Sequence, residues 1–217
     1  MPTQYQAIMF DLDGTLVNTL AAIAAAANSA LEQLGRPTHS IQQYRQFVGY
    51  GLPQLVRQAL GPDHLDLADQ AAALHREAYA RLESSLAHPY EHVPQLLAEL
   101  RRRGLKLAVL SNKPHDATCQ CVRTFLGPIH LDAIRGHQPP TPLKPDPHGA
   151  LAIARDLDVT PDRWLYVGDS EVDMHTAVAA GMVAVGATWG FRDQTVLQAA
   201  GAQALIHNPM QLLDLLA

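Results

Sequence analysis

Hydrophobic and polar positions along this chain follow two rhythms in turn. The first apolar run, Ala7-Ile8-Met9-Phe10, is short and uninterrupted, which predicts a strand buried on both faces. Residues 17–87 then read as helical throughout. Leu20, Ile23, Ala27, Leu31 and Leu34 recur at helical spacing, with Gly35 just past the end. Ser40 and Gln43 predict a capping box opening a second helix. Phe47-Val48-Gly49-Tyr50-Gly51 interrupts it, and Pro53 at a first helical position starts a third helix that ends at Gly61-Pro62. A longer amphipathic helix is predicted over 65–86, and His88-Pro89-Tyr90 breaks the pattern.

From Val93 onward helices and strands alternate. The pattern predicts a helix over 93–103 closed by Gly104, a strand over 105–110 delivering Ser111-Asn112-Lys113-Pro114, and a helix over 115–126. A weak strand follows near 133–135. The Pro-rich stretch 139–145 predicts a stiff loop. Asp146 is expected to cap a helix running to about Leu157, with Pro147 at its first position. Strands are then predicted over 164–167, 183–185 and 204–206. Helices follow each of them: one to Gly181, one over 195–200 after the loop 189–192, and one from Met210. This order implies an α/β fold with a doubly wound parallel sheet and right-handed crossovers. Its core is expected to comprise residues 1–16 and 88–217. Residues 17–87 form an inserted all-helical cap, expected over the C-terminal edge of the sheet.

Composition narrows the function. The 217 residues are 47% hydrophobic but only 6% aromatic, so the core is aliphatic and rich in alanine. The net charge is −5, and the lysines are Lys106, Lys113 and Lys144 alone. No basic stripe is available for nucleic acid, and Arg101-Arg102-Arg103 reads as a solvated helix C-terminus complementing its dipole. No apolar run approaches the roughly 18 residues of a membrane span. The start of the chain lacks a basic signal-peptide region, so a cytoplasmic enzyme with no membrane partner is expected. Cys119 and Cys121, two positions apart, do not face each other on a helix and read as small half-buried residues, not a zinc site or a disulfide.

The chemistry starts where the first strand ends, at Asp11-Leu12-Asp13-Gly14-Thr15. Open α/β sheets bind ligands at such strand ends. If the extended geometry continues, Asp11 and Asp13 point to the same side, and Gly14 lets the chain bend away. Two adjacent carboxylates need a shared proton or a divalent cation, and oxygen ligands of this kind suit Mg²⁺. An acidic turn is the plainer reading, but the five-residue string arises by chance only on the order of 10⁻³ times in a chain of this length. Ser111 and the pair Asp169 and Asp173 mark two further strand ends, and Lys144 sits on the Pro-rich loop. Ser111 offers a hydroxyl, backbone N–H groups at the helix start after it offer an anion site, and Lys144 offers a point charge for a phosphate. Each alone reads as a cap, a turn or an exposed side chain. Their common placement at strand ends brings them together as one site.

These residues resemble the four motifs of the haloacid dehalogenase superfamily, specifically its phosphatases with a helical cap after the first motif. The motifs are Asp11-Leu12-Asp13-Gly14-Thr15-Leu16, Leu110-Ser111-Asn112, Lys144-Pro145-Asp146-Pro147 and Gly168-Asp169-Ser170-Glu171-Val172-Asp173. The resemblance implies that Asp11 is a nucleophile forming an aspartyl phosphate and that Asp13 is acid and then base. It implies that Ser111 and Lys144 hold phosphoryl oxygens, Lys144 also restraining Asp11. Mg²⁺ would be held by Asp11, the Asp13 carbonyl and Asp169, with Asp173 ligating or supporting it. Thr15 and Asn112 are expected to join the substrate site. An acid at position 13 sets the chain apart from the dehalogenases that name the superfamily, since halide leaves without a proton. The absence of Lys from residues 1–105 removes the Schiff base that phosphonatases need.

Three features are similar to phosphoglycolate phosphatases: Phe47-Val48-Gly49-Tyr50-Gly51, Ser111-Asn112-Lys113-Pro114 and Thr188-Trp189-Gly190-Phe191-Arg192. Asn18 and His92 depart from that pattern. The similarity implies 2-phosphoglycolate, a small phosphorylated metabolite, as substrate. Gly49, Tyr50 and Arg192 are the expected specificity residues, Arg192 being equally readable as an exposed loop arginine. A sugar phosphomutase or another small-molecule phosphatase with the same core stays open, and so does a phospho-aspartate signalling module. Nothing in the sequence sets an oligomeric state.

Overall fold

The structure is a computed structural model and describes residues 5–216. The chain divides into two compact units, Asn18–His88 and the combination of Met1–Val17 with Pro89–Ala217.

The smaller unit is helical. Its helices are α1 (Leu20–Gln33), α2 (Ile41–Phe47), α3 (Leu52–Leu60) and α4 (Ala68–Leu86). α1 packs chiefly on α4, with small residues in the buried positions of both: Ala22, Ala26, Ala27 and Ala30 on one, Ala71 and Ala78 on the other. The Ser40–Gln43 capping box is present, and Gly35 follows α1 with φ 65°. Asn28 ties down the chain before α2: its amide bonds both the N–H (3.0 Å) and the C=O (2.9 Å) of His39. Two boundaries differ from the sequence pattern. Pro53 is the second residue of α3, and Pro62–Leu67 form a 3₁₀ turn, so that α4 begins at Ala68 and not at 65.

The larger unit is built on a six-stranded sheet: β1 (Ala7–Phe10), β2 (Lys106–Pro114), β3 (Ala133–His137), β4 (Trp164–Gly168), β5 (Val183–Ala187) and β6 (Ala204–Ile206). The spatial order is β3-β2-β1-β4-β5-β6, and every pairing is parallel. The chain works outward from β1 to β3, then returns past β1 to β4. The reversal of direction opens a crevice at the carboxyl end of β1, the place where such sheets bind ligands. Phe10 pairs with both Val109 and Val167, so the residues after all three reach this edge together.

Both faces of the sheet are covered. Met9, Ala108, Leu110, Trp164, Tyr166 and Ala184 pack with Ala150, Ile153 and Ala154 of α7 (His148–Asp156) and Met174 and Ala177 of α8 (Glu171–Ala179). Ile8, Leu107, Val109 and Val167 alternate with them, so they face the other side, and they are also buried. α5 (Val93–Arg102) and α6 (His115–Leu126) pack on β2. The last helix, α9 (Gln194–Ala199), lies against β5.

Four features of this unit depart from the sequence pattern. β2 continues through Ser111-Asn112-Lys113 to Pro114, because the chain stays extended and Pro114 pairs with His137 after an irregularity. Ser111 therefore stands inside a strand and not at its end, while α6 begins at His115 as expected. α7 begins at His148, whose N–H is accepted by Asp146 Oδ1 at 2.8 Å; the expected cap acts from one position further out. The C-terminal turn Pro209–Leu216 is 3₁₀ and not α. Val17–Asn18 and His88–Pro89 form a separate two-stranded pair where the chain passes between the units, too short for any periodicity to mark. Among the described residues no helix is long and apolar enough to cross a membrane.

Candidate active site

The strand pattern delivers Asp11 at the end of β1, where its N–H continues the ladder to Val167 O at 2.9 Å. The chain then leaves the extended form. Thr15, Leu16 and Val17 all donate to Leu12 O, and Gly14 donates to Val17 O. After this turn the two carboxylates have different partners. Asp11 is gathered with Asp169 and Asp173, each offering a carboxylate oxygen within 4.8 Å of the others. Asp13 Oδ1 is instead ion-paired with Lys113 Nζ at 3.1 Å, both side chains mostly buried.

Asp169 follows β4 and is held from both sides. Its Oδ1 accepts from the Thr15 hydroxyl at 2.8 Å, and its Oδ2 accepts from the Phe191 N–H at 2.8 Å. Its neighbours have no room for side chains: a Cβ at Gly14 or at Gly190 would run into the Asp169 side chain. Gly14 also has φ +92°, a conformation glycine adopts without steric cost. Asp173 lies in the first turn of α8. Its Oδ2 closes a capping box with the Ser170 N–H and hydroxyl, and its Oδ1 faces Lys144.

Lys144 reaches the cluster from the Pro-rich loop. Its ammonium lies 2.7 Å from Asp173 Oδ1, 2.9 Å from Asp11 Oδ1 and 3.1 Å from the Leu110 carbonyl. The side chain is 3% exposed, so this is a buried cation among carboxylates. Asp11 Oδ1 is buried, and its contact with the Lys144 ammonium is an ion pair.

The charges are unbalanced. Three buried carboxylates share one ammonium. Burial, and then the Asp173 charge, push the Asp11 carboxyl well above its ordinary range, although Lys144 pulls it back. The same two causes raise Asp169 to about 7, against the opposing bonds from Phe191 and Thr15. Burial works against the Lys144 ammonium, but Asp11 and Asp173 outweigh it and hold its pKa well above the lysine norm. A second cation would relieve this crowding. The donors are all hard oxygens, a set that suits Mg²⁺, Ca²⁺ or Mn²⁺ over metals that prefer sulfur or imidazole. With three such carboxylates and one ammonium among them, the residues fit a divalent ion.

The remaining residues marked by the sequence fall into three groups. Ser111 is 4% exposed at this edge, its Oγ accepting from the Lys113 N–H at 3.2 Å. Thr15 and Asn112 are buried and turned to protein partners: Thr15 to Asp169, Asn112 to the backbone of Lys144. Arg192 is no exposed loop residue. Its guanidinium is 13% exposed and grips Glu171, with Nε 2.9 Å from Oε2. Gly49 and Tyr50 belong to the helical unit, where Tyr50 is 39% exposed between α2 and α3. Sequence reasoning gave no role to Lys113, Glu171 or the Phe191 N–H. Lys113 and Glu171 lie within marked stretches, Ser111–Pro114 and Gly168–Asp173, while a backbone donor leaves no trace in residue identity.

The comparisons with known proteins agree with this geometry. The family model for haloacid dehalogenase-like hydrolases matches residues 8–187. A Pseudomonas putida protein named phosphoglycolate phosphatase is 37% identical, the match covering 95% of this chain and 78% of that one. Phosphoglycolate phosphatase 1 of Pseudomonas aeruginosa is 34% identical over the same shares. Among solved structures, one described as a predicted phosphoglycolate phosphatase from Haemophilus somnus superposes with a TM-score of 0.91 at 27% identity, covering 98% of both chains. A hydrolase from Pseudomonas syringae superposes with a TM-score of 0.80 at 26% identity, covering 97% of this chain and 96% of that one. Motifs, sheet order and full-length similarity converge, and the chain belongs to the haloacid dehalogenase-like hydrolases.

Proposed function

We propose that this hydrolase is a Mg²⁺-dependent phosphomonoesterase working through an aspartyl phosphate, with 2-phosphoglycolate as its substrate. The observation that carries the chemistry is Asp11. It stands at the switch point of the sheet, buried, with its Oδ1 2.9 Å from the Lys144 ammonium. A carboxylate nucleophile needs a free lone pair and a neighbouring cation that accepts charge from the incoming phosphate.

A Mg²⁺ ion held by Asp11, the Asp13 carbonyl and Asp169, with Asp173 beside it, would neutralise charge on the phosphoryl oxygens. The chain's own residues do the rest. Asp11 attacks phosphorus and the ester bond breaks. Asp13, released from Lys113 and protonated for this step, gives its proton to the leaving oxygen, which departs as the alcohol. Asp13, now ionised, takes a proton from water as that water attacks phosphorus, releasing inorganic phosphate and free Asp11. Ser111 and Lys144 hold the phosphoryl oxygens in both steps. Thr15 and Asn112 act behind them, Thr15 on Asp169 and Asn112 on Lys144.

The substrate assignment rests on the relatives, whose names specify phosphoglycolate. Gly49, Tyr50 and Arg192 are its specificity residues in this reading, with Arg192 acting through its grip on Glu171. The test is a hydrolysis panel of small phosphate esters with Mg²⁺. The expected result is that 2-phosphoglycolate leads in kcat/KM and that excess chelator abolishes turnover. Ca²⁺, larger and looser in geometry, is expected to inhibit. A hexose phosphate leading by tenfold, about 1.4 kcal/mol of transition-state stabilisation, rejects the substrate and leaves the phosphatase standing. Full activity in chelator rejects the metal-dependent mechanism.

A further inference from the structure

The loop carrying Lys144 has an unusual problem. Between Gln138 and Pro147 it contains five prolines. Each removes a backbone donor, and the loop has no helix or strand of its own. Its internal backbone bonds are Thr141 N–H to Gln138 O and Asp146 N–H to Leu143 O, both 3.0 Å; neither uses Lys144. Yet the ammonium of Lys144 must sit within hydrogen-bond reach of two carboxylates.

Asn112 answers this from the neighbouring strand. Its Oδ1 accepts the Lys144 N–H at 2.8 Å, and its Nδ2 donates to the Lys144 carbonyl at 3.0 Å. One side-chain amide thus satisfies both backbone groups of Lys144, as a paired strand would. Asn112 is 7% exposed and Lys144 4%, so water does not compete for these bonds. Leu110 lies two residues earlier on β2, and its carbonyl accepts the Lys144 ammonium at 3.1 Å. Both ends of the lysine are therefore referenced to the same short piece of β2.

We propose that Asn112 is the positioning residue for Lys144: it fixes the lysine backbone so that the ammonium meets Asp11 and Asp173. The same amide device binds Asn28 to His39 in the helical unit, where it serves local structure alone. What distinguishes Asn112 is the group hung from the backbone it holds. The inference deepens the proposed phosphatase reading and gives the residue a role through Lys144 and not through substrate. A displacement of about 1 Å in such a group costs about 100-fold in rate.

The experiment pairs kinetics with crystal structures of Asn112→Ala and Asn112→Asp. The aspartate keeps the shape and the acceptor but loses the donor, which gives a second route if the alanine variant does not fold. The kinetics use an aryl phosphate, well below the melting temperature, per folded molecule. The expected result is an approximately 100-fold loss in kcat/KM together with a Lys144 ammonium moved away from Asp11 and Asp173. A Lys144 still seated on both carboxylates, or a displaced one with undiminished kcat/KM, overturns the proposal. A loss in melting temperature alone, with wild-type kcat/KM, also overturns it, because that is what a merely structural amide does. Failure of the phosphatase reading shows separately, as a wild-type protein that hydrolyses no phosphate ester, while the crystal structures still report on the clamp.

Discussion

The Thr15 hydroxyl donates a 2.8 Å hydrogen bond to Asp169 Oδ1, joining the turn after the central strand to the loop after its neighbour. Both partners are buried. Thr15→Val keeps the shape but leaves a buried carboxylate oxygen without its donor, which costs about 1–3 kcal/mol. Urea unfolding should report that loss, and Mg²⁺ affinity should fall with it. Thr15→Ser retains the hydroxyl and should recover most of both. Equal damage from serine and valine would locate the effect in packing and not in the bond.

The raised carboxyl of Asp169, at about 7, makes stability depend on pH in a direction opposite to most acids. A folded-state pKa above the unfolded value means the native chain holds the proton more tightly. That contribution is fully present below the ordinary carboxylate range and is lost as pH rises through 7. A divalent ion needs the ionised form. The melting temperature of chelated protein should therefore fall between pH 5 and 8, and the increase produced by Mg²⁺ should grow over the same interval. A Mg²⁺ effect as large at pH 5 as at pH 8 would contradict this.

The two acids of the first motif separate by substrate. Asp11→Asn removes the proposed nucleophile and should abolish turnover of every ester. Asp13→Asn keeps it but loses the proposed proton donor, worth roughly 10²–10⁴ in rate for a poor leaving group. Single-turnover measurements should find the first step slow with an alkyl phosphate and much less impaired with an aryl phosphate. Equal loss on both counts against Asp13 as the acid.

Gly190→Ala tests how closely the loop after β5 is fitted to Asp169. The added Cβ meets the Asp169 side chain, and overpacking of this kind costs about 1–3 kcal/mol. A Mg²⁺ titration should show affinity lowered at least tenfold, with the melting temperature reduced. Unchanged metal binding would mean that the loop yields and that Asp169 does not depend on it.

Much of this molecule is legible in its residues, and what is not has a common cause. The apolar run before Asp11, the Ser40–Gln43 box and the glycine after α1 are local signals. Local physics decides them, and they appear where the pattern puts them. The residues of the candidate site are legible too, because Asp11 and Asp169 directly follow buried strands and the others lie in recognisable motifs. Their partners are not. Asp13 turns to Lys113, Arg192 to Glu171 and Thr15 to Asp169 through contacts made only when distant segments meet. The Phe191 N–H that holds Asp169 has no side chain to announce it. The 3₁₀ turn over Pro209–Leu216 and an α-helix share the same apolar spacing over so short a span.

The order of strands bears on how the chain is made. Ala7–Phe10 is synthesised before both of its neighbours, yet it becomes an inner strand, paired at Ala7 with Lys106 and with Trp164. Until those segments leave the ribosome, four buried apolar residues wait with both edges open, a state prone to mispairing. Pairings this distant in sequence also fold slowly. The helical stretch between β1 and β2 closes mainly on itself through α1 and α4. During that delay it is the part of the chain able to form structure, while the acids at the end of β1 stay apart from Lys144, Asp169 and Asp173. A nascent chain therefore carries Asp11 long before it carries a site.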